Sequence, residues 1–225
     1  MNFWELNWLD YIAIGIFFTS ILMFNIRIET ETSERPSTHS LMLKYRRQWM
    51  EVLTTRDNRI VDATILNMLQ QSSRFFASGM MIAVGGVIAL MSRPDLQTGL
   101  EGIFHKSLDP TTWNFKLFFV GLVLANGFLK FIWSGRVFGY CAIVMAAIPE
   151  NSPSTKQIVR AAELNITAAR SFNRGLRMIY FALAAMCWLL GAIPFIAATG
   201  FVSYTIWRRE FSSATRIALM GDDHG

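Results

Sequence analysis

Apolar runs long enough to cross a lipid bilayer constrain this chain more than any other feature. A helix needs about 20 predominantly apolar residues to span a hydrocarbon core roughly 30 Å thick. Four stretches approach or reach that length: residues 9–26, 75–91, 113–134 and 178–207. The first closes at Asn25 and Arg27, the second at Arg93-Pro94. Asp109-Pro110-Thr111-Thr112 is a strong helix start for the third. The fourth contains Pro194, but division there leaves two pieces each too short to cross, so it is read as one span. With 52% hydrophobic and 16% charged residues, the 225-residue chain is too apolar for an ordinary soluble domain. Glu5 and Asp10 stand where a cleavable signal needs Lys or Arg, so the first run is expected to remain as an anchor.

The net charge of +5 is unevenly spread. Arg27, Arg35, Lys44, Arg46, Arg47, Arg56, Arg59 and Arg74 fall between the first two runs. Arg136, Lys156, Arg160, Arg170, Arg174 and Arg177 fall between the last two, whereas the segment from Arg93 to Asn114 carries only Arg93 and Lys106. The positive-inside rule therefore predicts both long basic segments in the cytoplasm and the N-terminus outside. Four spans would return the C-terminus to the outside, where Arg208, Arg209 and Arg216 fit poorly.

The basic segments carry helical periodicity. Met42, Tyr45, Trp49 and Val52 share one face, Val61, Ile65, Met68 and Ser72 a second, and Ile158, Ala162, Asn165, Ala169 and Phe172 a third. No Pro or Gly separates the second stripe from the second run, and the third leads into the fourth run. The third run likewise continues past Gly135 to Ile148, before Pro149. Three helices thus overrun the bilayer on one side and are expected to pack on one another there. The expected fold is all-α: an integral-membrane four-helix bundle extending into a cytoplasmic bundle, with 1–225 as a single membrane domain and cytoplasmic segments 37–74 and 135–177. Outside, Leu96, Leu100, Ile103, Phe104 and Leu108 have the spacing of a short interfacial helix. Trp4, Trp8 and Trp113 stand where an aromatic belt belongs.

Chemistry-bearing patterns are sparse. Apart from Asp10 at the very start of the first, the runs carry no carboxylate, which argues against a proton-coupled carrier. No nucleophile elbow, P-loop, zinc-protease or dinucleotide motif occurs, so no catalytic residue and no cofactor is expected and the chain is read as a non-enzyme. His39, His105 and His224 are scattered without a ligand-spaced partner, and Cys141 and Cys187 lie in apolar stretches as small hydrophobes, so no metal site is expected. Lys130 is the exception. It shares a face with Asn126 and Ser134 and lies about 9 Å, six residues, before Arg136. It either snorkels toward the cytoplasmic interface or, with Asn126, faces a polar or anionic ligand between helices. Arg74, Arg136 and Arg177 mark the inner ends of the runs and are expected at anionic lipid headgroups. Gly135 and Gly139 have small-xxx-small spacing, read as close packing inside the monomer.

Several strings resemble a known pattern when taken together and in order. They are Arg59–Asp62 continuing to Ser73–Ser78, Phe138–Ala142 through Ile148-Pro149, Phe172–Arg177 followed by Tyr180-Phe181 and Trp188, and Trp207–Phe211. Over nearly its whole length the chain resembles a bacterial family of multi-pass membrane proteins of about this size, classed as a domain of unknown function. The resemblance implies the architecture and no activity. It directs attention to Asp62, Arg74, Arg174 and Arg177, which belong to these strings and fall at or below the inner surface. The leading expectation is a bacterial inner-membrane accessory, assembly or scaffold component. Its expected partners are a bilayer with anionic inner headgroups and a membrane protein or second copy, with no nucleic acid. A small transporter or ligand-binding protein using Asn126 and Lys130 is the alternative. A headgroup-modifying enzyme built on Asp62 and the interfacial arginines comes third.

Overall fold

Helix starts follow the capping residues. Asn7 and Asp10 form a reciprocal capping box, Asp109 accepts from the Thr111 and Thr112 amides ahead of a helix opened by Pro110, and Ser154 pairs with Gln157 in the same way. In the computed structural model, which describes residues 6–30, 35–93, 109–149 and 154–221, these caps open α1 (Trp8–Glu29), α4 (Pro110–Ala146) and α5 (Thr155–Met186). The other helices are α2 (Thr38–Leu53), α3 (Ile60–Met91), α6 (Ala192–Phe211) and α7 (Ala214–Met220). No strand occurs among the described residues. The interfacial helix expected around Leu96–Leu108 and the belt residue Trp4 lie outside them.

Three helices are longer than the roughly 20 residues that a membrane crossing takes. α3, α4 and α5 have 32, 37 and 32 residues, or about 48–56 Å at 1.5 Å per residue. Their far ends, with α2, enclose a second core around Met50, Leu53, Leu66, Phe138, Cys141, Ile148 and Ala161. The main core gathers Phe17, Phe119, Phe181, Trp188 and Phe195. By length and composition α1, α3 and α4 are apolar enough to cross a membrane.

The run 178–207 is not one span. α5 ends at Met186, a 3-10 turn covers Cys187–Leu190, and Gly191 adopts φ 126°, ψ 174° before α6 begins. That backbone conformation is essentially restricted to glycine. Pro194 lies in the first turn of α6, where its missing N–H costs nothing. The chain therefore doubles back. Trp188 packs on Phe195 and its indole N–H donates to Asp10 Oδ1 at 2.6 Å, whereas Glu210, near the end of α6, meets Thr38 and His39 at the start of α2. Arg216 Nε donates to Pro36 O. The C-terminal residues 192–221 thus run back to the end of the bundle that holds the basic segments, opposite to the expected outside tail.

Two of the three expected stripes are rotated. In α2 the buried positions are His39, Leu43, Met50 and Leu53, while Met42 and Val52 are exposed. In α3 they are Asp62, Leu66 and Ser73, while Val61, Ile65 and Met68 face outward. Asp62 sets this phase: fully buried, its Oδ1 accepts from Arg56 at 2.5 Å and from the Trp49 indole at 2.6 Å. The α5 stripe stands as expected, with Ala162, Asn165 and Ala169 buried.

Glycines let the long helices meet. A Cβ at Gly175 would lie 2.8 Å from the Phe131 ring, and one at Gly127 would lie 3.1 Å from Met178 Cβ, so α4 and α5 cross almost backbone to backbone. Gly139 would come within 3.1 Å of Gln70, and Gln70 donates to Gly135 O. The small-xxx-small pair therefore packs α4 on α3 inside the chain.

Candidate functional site

Two polar layers bracket the main core. At one end Asp10, 8% exposed, accepts from Trp188, and the buried Lys116 Nζ donates to Trp188 O at 3.2 Å beneath its ring. At the other end Glu29 gathers three arginines. Arg174 binds it in bidentate fashion at 2.5 and 2.8 Å, Arg177 reaches it at 2.7 Å while donating to Asn25 Oδ1, and Arg170 Nε stands 3.7 Å away. Side chains of a helix tilt toward its N-terminus. The α5 arginines therefore reach back toward the Glu29 end from positions deeper in the core. Along α1 the two layers are separated by Asp10 to Glu29, about 28 Å at helical rise.

Between the layers lies a cleft of about 850 Å³, within the roughly 300–1,000 Å³ range of small-molecule sites. α1 packs on α6, and it meets α4 where Phe17 and Phe18 contact Phe119. The cleft opens below these rings. Its walls there are apolar, from Ile21, Leu22 and Ile26 of α1, Leu122 and Val123 of α4 and Met178 of α5. Its far end is polar, formed by Asn25, Glu29, Asn126, Lys130 and Arg174. Asn126 and Lys130, the expected ligand-facing pair, therefore both line a real cavity. No hydrogen bond or ion pair holds Lys130 among the described residues. Its Cα–Cβ bond, tilted toward the start of α4, is directed away from the Glu29 end of the bundle, which disfavours snorkelling out of the cleft. One carboxylate against Arg170, Arg174, Arg177 and Lys130 leaves this end electropositive.

The other expected site residues divide. Arg74 and Arg136 are exposed on α3 and α4, where headgroup contact is open to them. Arg177 is 5% exposed and committed to Glu29 and Asn25, so it is an internal strut rather than part of a headgroup girdle. Asp62 is sealed in the second core, without the access a headgroup-modifying base would need. Trp8 is exposed, consistent with a belt, but Trp113 is buried in the main core. Cys141 and Cys187 are free, and no cluster of potential metal ligands occurs among the described residues.

Residues 12–215 match the family described as Protein of unknown function, DUF599. The chain belongs to that family. No curated protein and no solved structure matches it. For a DUF599 chain the site must therefore be read from its own geometry, and that reading includes residues that periodicity missed. Lys116 stood in the third run as plainly as Lys130. Glu29 and Asn25, one turn apart at the end of the first run, were legible as a polar face. Their pairing with α5 was not.

Proposed function

We propose that this DUF599 chain is a non-enzymatic, multi-pass protein of the bacterial inner membrane that holds an anionic amphiphile, such as a phospholipid, in the cleft between α1, α4 and α5. One observation carries the proposal: an unpaired lysine stands at the electropositive end of a cavity whose remaining walls are apolar. Lys130 is half-buried; an ammonium without a partner at membrane depth costs a few kcal/mol, and a phosphate or carboxylate headgroup would remove that cost while acyl chain filled the apolar part. The layer spacing of about 28 Å equals a hydrocarbon core, so α5 and α6 would complete five crossings with α1, α3 and α4. The basic segments and C-terminal tail would then share the cytoplasmic side.

The test is lipid retention. After purification in mild detergent, mass spectrometry should find anionic lipid enriched several-fold over bulk membrane. Lys130→Ala and Leu122→Trp, which remove the cation and fill the cleft respectively, should each return that ratio to bulk. Bulk composition in the unaltered protein would overturn the proposal.

One observation favours the accessory-component reading as well. Ile60, Val61, Ile65 and Met68 form an exposed apolar stripe on α3, beyond the Ser73–Ser134 contact and alongside the second core. A stripe of this kind outside hydrocarbon suits a partner helix. Cross-linking from Ile65→Cys in native membranes would report a neighbour there, and its absence would remove this second role.

A further inference from the structure

A second, separate cavity of about 320 Å³ lies where α2, α5, α6 and α7 meet, at the basic end of the bundle. Met42 supplies an apolar side chain, and the polar groups of the lining include Thr38, His39, Arg46, Asn173, Arg209 and Glu210. His39 is 5% exposed, and its Nε2 is buried without a hydrogen-bond partner among the described residues. Asn173 Nδ2 lies 2.9 Å from His39 Nδ1. An amide nitrogen can only donate, so Nδ1 accepts and the ring proton resides on Nε2. His39 therefore presents a buried N–H donor that no described protein group receives, and native interiors satisfy such a group with water or a bound ligand.

The surrounding charge specifies that acceptor. Arg46 donates to Asn165 Oδ1 and Arg209 donates to the Tyr180 hydroxyl at 2.9 Å, both neutral acceptors. Neither guanidinium meets a carboxylate among the described residues. Glu210 is the one acid in the lining, and its Oε2 already accepts the His39 backbone N–H at 3.3 Å. Two cations and one imidazole N–H against one engaged carboxylate favour an anion. The forked donors of arginine match phosphate and carboxylate oxygens in particular.

We propose that this pocket binds a small anion of the phosphate class, with His39 Nε2–H, Arg46 and Arg209 as its donors. The phosphate can belong to a soluble ester or to the headgroup of a lipid at the inner surface, and the two sources are separable. The full chain in zwitterionic nanodiscs is titrated with inorganic phosphate at constant ionic strength, following the His39 imidazole nitrogens by NMR. The expected result is a saturable shift of the Nε2 resonance. His39→Gln and Arg209→Gln are scored by calorimetry, since the first removes the NMR reporter, and each should weaken binding at least tenfold. Lys156→Gln, an exposed charge loss at the start of α5, should not. A parallel arm replaces phosphate with nanodiscs containing phosphatidylglycerol. A shift in that arm alone assigns the site to a lipid headgroup, and a shift with free phosphate assigns it to a soluble ligand. No shift in either arm, or equal weakening by Lys156→Gln, overturns the proposal. Since His39→Gln alone could disturb packing, intact melting behaviour of Arg209→Gln together with lost binding keeps the outcome decisive. Lipid retention in the α1–α4 cleft is independent of this result.

Discussion

At the residue scale, His39 shows how burial and neighbours together decide a protonation state. Desolvation comes first and the Arg177 guanidinium second in holding its imidazole down at about 4, from an ordinary 6.5. Arg170 and Arg46 act in the same direction and Glu29 opposes them. Glu210 also faces it, through the backbone amide. Accepting from the Asn173 amide at Nδ1 requires the neutral ring. Because the folded value lies below the unfolded one, the unfolded chain takes up the proton first as pH falls. Stability is therefore full above pH 6.5 and declines toward pH 4, by at most about 3 kcal/mol. Chemical denaturation in detergent between pH 7.5 and 4.5 should show this slope in the unaltered protein and its loss in His39→Gln. Identical slopes in both would reject the neutral buried ring. Lys130 is the contrasting case: the sequence marked it as anomalous, and the structure supplied the cavity that makes the anomaly useful.

At the element scale, the crossing of α4 and α5 depends on glycine and on a boxed aromatic. Phe131 is fully buried, stacks on Phe76 at 5.3 Å and meets Phe172 edge-on at 5.4 Å, so its ring cannot retreat from a Cβ at Gly175. Gly175→Ala is expected to destabilise by about 1–3 kcal/mol through overpacking, seen as a lower thermal midpoint in detergent. Gly79→Ala provides the contrast, because a Cβ there meets nothing within 4 Å. It should match or slightly exceed the unaltered protein, since alanine is the better helix former. The rotated stripes of α2 and α3 belong to this scale too. Both helices carry apolar residues on two faces, and periodicity alone cannot choose between them. A buried ion pair can: turning Val61 inward would have turned Asp62 out of reach of Arg56 and Trp49.

At the scale of the whole molecule, the consequential feature is the reversal at Gly191. Read as one rod, residues 178–207 would carry the tail across the bundle. As a hairpin they bring it back beside α2, where Arg208, Arg209 and Arg216 join the other basic residues. Reporter fusions test this directly. A cytoplasm-active reporter after Met220 and another in the 150–153 segment should both be active, while one inserted between Arg93 and Asp109 should be silent. Activity at the last position, or silence at the first, would reject the five-crossing arrangement.

Much of this architecture was legible before any tertiary contact was known. Apolar run length dictates the helices at 9–26, 75–91 and 113–134, because hydrocarbon leaves a backbone no other way to satisfy its hydrogen bonds. Their caps and the basic segments are equally local, as was the marking of Asn126 and Lys130 by a charge in an apolar run. Tertiary structure alone decided which face of α2 and α3 turns inward, that Arg177 serves Glu29 instead of lipid, and that α1 stands off α4 to open a cleft. It also decided that an isolated histidine becomes a buried donor between four helices. The physical reason is the same in each case. Run length and capping are properties of one segment against its solvent, whereas pairing a carboxylate, opening a cavity or orphaning an N–H depends on which segments meet, and no single segment encodes that.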